Sequence, residues 1–370
     1  MGDMRLGSVS LSCLATALVS GLLFPSAKST KPAKLSPEKL TEFAAAKNGL
    51  AGVTRPWHIL VKFETFDKDG KHSNGGTFEE WWFGPASYKS VYTSDTLHQT
   101  DVATPQGLFR TGDQRWATSE EHQVPQLLFS PLNGHFDPEV YWLNEENQGY
   151  AGTGLHCILL TPPHSLSRQR TAPQTHDGMD FTLGPSFCLD PNTDALRTQS
   201  SGPSRISTVF NQVREFGGQF VAQHVQSANQ GKLALDLRVV TLEELPDSST
   251  PPAADPGSQG PIQGPIDLPD GWMMMAKGEA DFRDTFGHAI SLLPPNSTTK
   301  VALKVAIDQT GRVTDVELTE GPKDFGGVVA KAMKKVIFVP FQIAGAPVSV
   351  NLTKSYTFNT QVSISGAIIP

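Results

Sequence analysis

The sequence predicts a β-rich α+β protein in which one large, curved antiparallel sheet precedes a small β-β-α-β unit. Three observations predict it. Short runs of alternating apolar and polar residues recur from Pro56 to Leu242, separated by Gly, Pro, Asp and Asn turns. A Pro- and Gly-rich stretch then interrupts the pattern over residues 246–270. Beyond it, alternation returns around a single segment of helical periodicity.

The bulk composition sets the frame. A chain of 370 residues is long enough for two ordinary domains. Its 38% apolar and 18% charged content suits a globular protein and argues against a disordered or polytopic membrane one. The net charge of −7 gives no electrostatic reason to expect nucleic acid as a partner.

The N-terminus reads as a targeting segment. Arg5 precedes a mostly apolar or small run from Leu6 to Phe24, Pro25 breaks it, and Ala27-Lys28-Ser29 offers a small-x-small cleavage site. The run is also just long enough to span a bilayer. Residues 1–29 are therefore read as a signal peptide or an anchor. The expected location is the periplasm or cell envelope, anchored in the inner membrane if the segment is retained. Cys13 would leave with a cleaved signal. Cys157 and Cys188 both sit in strand-like stretches, and an oxidising compartment favours a disulfide between them, with two buried thiols as the alternative.

Ser36-Pro37-Glu38 marks a helix start. Strands follow at Ile59–Phe63, Thr77–Phe83, Tyr88–Thr93, Leu97–Ala103 and Leu108–Thr111, with Asp67-Lys68-Asp69-Gly70 as a hairpin turn. Glu120–Phe129 reads as a helix interrupted by Pro125, and residues 161–180 read as a loop. Further strands are expected at Leu155, Phe181–Leu189, Leu196–Gln199, Ile206–Phe216, Phe220–Val225 and Leu233–Leu242, with Gly217-Gly218 as a turn. Residues 30–245 thus form the β-rich domain and residues 246–270 a semi-extended linker.

Residues 271–370 hold the second unit. Val301, Leu303, Val305 and Ile307 share one strand face, and Asp308-Gln309-Thr310-Gly311-Arg312 turns the chain into Val313–Leu318. Phe325, Val328, Val329, Ala332, Val336 and Ile337 fall at helical spacing, with Pro340 as the stop. Val348, Val350, Leu352, Tyr356 and Phe358 then alternate with polar residues. This unit resembles the C-terminal domain of the TonB energy-transducer family. The resemblance rests on Val305-Ala306-Ile307-Asp308 with Gly311-Arg312-Val313, on Ala330-Lys331-Ala332, on Phe338-Val339-Pro340-Phe341 and on Gly345-Ala346-Pro347-Val348. The β-rich domain resembles LolA-type lipoprotein carriers through Phe78-Glu79-Glu80-Trp81-Trp82 and Phe187-Cys188-Leu189-Asp190. That resemblance implies a half-barrel holding an acyl chain or an apolar peptide.

Two candidate sites follow. The TonB resemblance implies that the last strand, with Val348, Val350, Leu352, Lys354, Tyr356 and Phe358, pairs with a peptide of an outer-membrane receptor or envelope protein by strand addition. Trp57, Phe63, Phe78 and Trp82 belong to an aromatic cluster that lines either an apolar cavity or an ordinary core. Trp81 and Trp82, being adjacent in a strand, point to opposite faces. The sequence carries no HExxH, P-loop, G-x-G-x-x-G or G-x-S-x-G pattern, so no catalytic residue, cofactor or metal is assigned. The expected function is a non-enzymatic binding or coupling protein of envelope transport. The alternative is a lipid or lipoprotein carrier acting through the β-rich domain's cavity.

Overall fold

The computed structural model describes residues 36–132, 142–150, 153–161, 186–200, 206–270, 272, 274, 276–277, 293–294 and 297–359. The targeting segment, the expected loop over 161–180 (all but Thr161), and Met273 and Met275 lie outside the described residues. No helix among the described residues is long and apolar enough to cross a membrane.

Helix α1 (Pro37–Lys47) starts at Ser36, whose hydroxyl accepts from Lys39 N, with Pro37 in the first turn where its missing N–H costs nothing. Five strands follow: β1 (Trp57–Phe66), β2 (His72–Gly84), β3 (Ser87–Ser94), β4 (His98–Thr104) and β5 (Gly107–Gly112). Helix α2 (Ser119–Phe129) runs through Pro125 without a break. Its first turn is fastened by a capping box, in which Thr118 accepts from Glu121 N and Glu121 accepts from Thr118 N. Then come β6 (Trp142–Tyr150), β7 (Thr153–Thr161), β8 (Ser186–Leu189), β9 (Leu196–Ser200), β10 (Ile206–Asn211), β11 (Arg214–Phe216), β12 (Gln219–Val221), β13 (His224–Asn229) and β14 (Lys232–Glu244).

The molecule is mostly β, with few helices. Twelve strands form one sheet in the order β5-β4-β3-β2-β1-β14-β13-β10-β9-β8-β7-β6. The expected strand Ile206–Phe216 is split by Gln212, whose positive φ turns β10 into the β11–β12 ribbon. One face of the sheet buries Ile59, Val61 and Phe63 of β1, Ile158 and Leu160 of β7 and Phe187 of β8 in a single cluster with Leu40 of α1 and Leu128 of α2. Strands from both halves share a core with the same two helices, so the sheet wraps around them. Cys157 and Cys188 stand opposite each other on β7 and β8 and form a disulfide.

The C-terminal part adds β15 (Ile266–Asp267), β16 (Ala276–Lys277), β17 (Thr298–Ile307), β18 (Val313–Glu320), α3 (Lys323–Met333), β19 (Ile337–Phe338), β20 (Gln342–Ile343), β21 (Ala346–Pro347) and β22 (Val350–Asn359). The expected β-β-α-β order is present, with α3 packed on a sheet of order β15-β22-β17-β18. Gly311 has φ +85°, and a Cβ there would collide with the Phe338 carbonyl, so the β17–β18 turn needs glycine. The helix ends at Met333, short of the expected Ile337. Phe338 N donates instead to Gly311 O at 2.7 Å, a bond that a continued helix would forgo, and Ile337–Phe338 pairs with Ala276–Lys277.

The Pro/Gly-rich stretch is a strap rather than a spacer. Gln259 exchanges two backbone hydrogen bonds with Arg110, and Ile262 N donates to Leu108 O. Ile266 and Leu268 then donate to Ser349 O and Asn351 O. Four of the segment's N–H groups, those of Gln259, Ile262, Ile266 and Leu268, thus find carbonyls on β5 and at the strand end at β22.

Candidate functional site

The strands β1 to β5 pair in a register that sorts their inward side chains into three rows. The first crosses Val61, Phe78, Tyr92 and Gln99. The third crosses Trp57, Trp82, Tyr88, Ala103 and Leu108. Between them runs Ile59, Glu80, Ser90, Asp101 and Arg110, so a polar track is enclosed by two aromatic ones. Each strand contributes through period-two alternation, and the antiparallel register aligns the contributions.

Above this floor lies a cavity of about 420 Å³, inside the roughly 300–1,000 Å³ typical of small-ligand sites. Helix α2 walls it with His122, Pro125 and Phe129, and Leu50 and Ala51 stand beside them. The C-terminal part closes the far side with Trp272, Phe341 and Ile343. The closure is aromatic on aromatic: Trp116 meets Phe341 edge-on at 5.8 Å, Trp272 meets Phe341 at 6.0 Å, and His122 lies against Trp272 at 4.6 Å. Trp57 stacks on Trp82 at 5.7 Å and takes Phe129 edge-on at 5.3 Å.

The polar track is unevenly satisfied. Arg110, 1% exposed, donates from Nε and Nη2 to the two Asp101 oxygens, both at 2.7 Å. Its Nη1 donates to Gln114 O and Arg115 O, and its guanidinium lies 4.2 Å over the Trp116 ring. Glu80, 5% exposed, has no side-chain hydrogen bond or ion pair with another described residue, and burial pushes its carboxyl up to about 8. It is therefore mostly protonated at neutral pH. Burial likewise lowers the His122 imidazole to about 4, leaving it uncharged. The Trp57 Nε1–H is buried without an acceptor among the described residues.

Of the residues singled out in the sequence, Trp57, Phe78 and Trp82 line this cavity, while Phe63 lies in the core beyond it. Trp81 takes the opposite face and stacks on His58 at 4.9 Å. Sequence reasoning missed Glu80, Asp101, Arg110 and His122, and the closing Trp272 and Phe341. The available clue was spacing: Glu80 lies two residues from both Phe78 and Trp82, a polar group on an aromatic face. In the last strand, Val350, Leu352 and Phe358 are buried in the C-terminal core, with Phe358 against Phe325 at 4.8 Å, and Val348 and Tyr356 pack against it. Lys354 is half-buried. The start of that strand is already paired, since Ile266 and Asp267 lie parallel to Val350 and Asn351. A second cleft, of about 820 Å³, opens beside the polar and charged residues Asp67, Asn74, Arg115 and Lys232. Among the described residues no three His, Cys, Asp or Glu side chains gather as metal ligands would.

No family model matches the chain, so the TonB assignment of the C-terminal part finds no support there. No curated protein matches it either. Among solved structures, the chain is similar to a LolA superfamily protein from Nitrosomonas europaea at 9% identity, over 58% of this chain and 96% of that one, with a TM-score of 0.36. It is also similar to a DUF1329 family protein from Desulfovibrio piger at 10% identity, over 58% and 93%, with a TM-score of 0.34. At such identities the chemistry has to come from this chain's own residues.

Proposed function

We propose that the protein is a non-enzymatic carrier that holds the apolar part of a lipid or lipoprotein in the cavity between β1–β5, α2 and the C-terminal part. The observation that carries this reading is the cavity itself: about 420 Å³ of space walled by Trp57, Phe78, Trp82, Tyr92 and Phe129. Apolar walls held that far apart forgo the dispersion contacts that an ordinary core would make. Filling it with hydrocarbon restores them and removes the ligand's apolar surface from water. The export pattern in residues 1–29 supports a carrier of the cell envelope, where acyl chains must cross an aqueous space. Peptide addition at β22 is the weaker reading, because β15 already occupies the strand's first residues.

The test uses phenylnaphthylamine, an uncharged fluorophore whose emission rises in apolar surroundings. The full chain is expected to bind it saturably at one equivalent, and methyl palmitate is expected to displace it. Ala117→Phe narrows the cavity from its wall and should weaken binding about tenfold, roughly 1.4 kcal/mol, with thermal unfolding checking that the variant is folded. Ala51→Trp, at an exposed cavity residue, should obstruct binding without touching the core. A wild-type protein that binds neither compound would overturn the reading.

A further inference from the structure

We infer that the cavity's occupant is an uncharged amphiphile whose apolar body carries an ester or amide carbonyl, held between the Trp57 indole N–H and the Glu80 carboxyl. This inference rests on the carrier reading and names the ligand class for the same site.

Three observations bear on the ligand's charge. The first is the state of the one cation lining the cavity among the described residues. Four of the five N–H groups of Arg110 are engaged, two by Asp101 and two by the Gln114 and Arg115 carbonyls, and its face is covered by Trp116. Its charge is already compensated by the two-pronged Asp101 pair, so an entering carboxylate or phosphate would meet no net positive charge. An anionic head placed here would lie against Asp101 with no counter-charge, and a buried unpaired charge is far costlier than a buried neutral dipole.

The second is the orphaned donor. Trp57 is 1% exposed and lines the cavity, and its Nε1–H has no acceptor among the described residues. Indole is a donor only, so the group that completes it must bring an acceptor oxygen or nitrogen. A plain hydrocarbon leaves that donor unsatisfied, at the usual cost of a buried N–H. A carbonyl satisfies it.

The third is Glu80, which stands one row from Trp57 across the β1–β2 pair, diagonal to it. The groups that face it are Tyr88, Ser90 and Tyr92 on β3, Asp101 on β4, Arg110 on β5 and His122 on α2. Arg110 is spent on Asp101, Tyr92 donates to Glu121 O, and His122 is uncharged, so no cation compensates a Glu80 carboxylate. The acid form has one O–H to give and a carbonyl oxygen to accept with. It therefore suits an ester, which accepts, and an amide, which does both. As the acid ionises, the donor disappears and a buried negative charge faces the ligand's carbonyl dipole.

The experiment compares ligands of one chain length on the full chain, read by intrinsic tryptophan fluorescence below the critical micelle concentration of the ions and the solubility limit of the uncharged members. Methyl palmitate and palmitamide are the uncharged members, palmitate the anion, hexadecyltrimethylammonium the cation and hexadecane the plain alkane. At neutral pH the ester and amide are expected to bind at least about tenfold tighter than either ion. Ester affinity should fall as the pH rises from about 7 to about 9, and Glu80→Gln should flatten that fall. Trp57→Phe should lower the ratio of ester to alkane affinity about fivefold, the usual worth of one buried hydrogen bond. Palmitate or the ammonium binding as tightly as the ester would overturn the inference while leaving the carrier reading standing. So would an ester-to-alkane ratio that Trp57→Phe does not change. If no member of the series binds, the carrier reading itself fails.

Discussion

Two buried glutamates, Glu121 in the first turn of α2 and Glu80 on β2, have opposite surroundings. Glu121, 1% exposed, is saturated: Arg115 donates to both oxygens at 2.9 Å, Thr118 N donates at 2.7 Å and the Thr96 hydroxyl at 2.8 Å. Burial alone would raise its carboxyl, but Arg115, Thr118 and Thr96 outweigh burial and hold it below the ordinary carboxylate range. Glu80 has the burial without the partners, so its carboxyl rises to about 8. A buried carboxylate with every lone pair used is a fastening, here tying the first turn of α2 to the ends of β3 and β4. A buried acid with unused hydrogen-bonding capacity, facing a cavity, contributes little to the fold and is available to whatever enters.

The largest expected effect tests that division directly. Glu121→Ala removes the capping box and the Arg115 pair together and should destabilise the protein by about 3 kcal/mol in urea unfolding. Glu80→Met, at about pH 8, should leave stability unchanged or raise it, because it replaces an uncompensated acid with a side chain suited to an apolar wall. Equal losses for the two variants would mean that Glu80 is a fastening too, and the contrast would collapse.

The pH dependence sharpens the same comparison, because the two carboxyls act with opposite sign. The lowered carboxyl of Glu121 contributes stability that is present above its unfolded value and is lost as pH falls through its folded value. The raised carboxyl of Glu80 makes the folded state hold a proton longer than the unfolded chain does. Its contribution is intact below about 4.5 and is lost as pH rises towards about 8. His122, lowered from 6.5 to about 4, loses stability as pH falls through that interval. Between pH 6.5 and 8 Glu80 dominates, while His122 in the unfolded chain sheds its last protons and opposes the trend slightly. Stability should therefore decline there by about 1 kcal/mol, and Glu80→Gln should abolish the decline. A wild-type profile that rises over this window would show that Glu80 is ionised in the folded protein.

Much of this architecture was legible in single strands, and the site was legible only in part. Alternation located β1 to β5 and put Trp57, Phe78 and Trp82 on notice, and strand-like flanks paired Cys157 with Cys188. The polar track was not legible, because Phe78-Glu79-Glu80-Trp81-Trp82 offers a glutamate and a tryptophan to each face and does not say which faces inward. The row Glu80, Ser90, Asp101, Arg110 exists only in the register between four strands, and no one strand contains it. Trp272 and Phe341 reach the cavity from a part of the chain more than a hundred residues away, through a strap whose composition reads as a spacer. Composition reports what a segment cannot bury, and it is silent on which carbonyls lie within reach of its N–H groups.

The smallest expected effect comes from the residue beside Glu80. Glu79 points to the outer face, where its carboxylate lies 2.8 Å from His58 Nε2, and Glu243 reaches His58 Nδ1 at 3.1 Å. Trp81 covers one face of the His58 ring, and the side chains of Glu79 and Glu243 are 29% and 61% exposed. Water therefore solvates both carboxylates and screens their attraction to the ring. A double-mutant cycle with His58→Ala and Glu79→Gln should give a coupling of about 0.5 kcal/mol, falling as salt is added. One position along the same strand, the same residue type is then worth little for the opposite reason: Glu79 is too well solvated to matter, and Glu80 is too poorly partnered to help. A coupling above about 2 kcal/mol would show the outer face to be as desolvated as the cavity floor, and the two faces of β2 would no longer differ in kind.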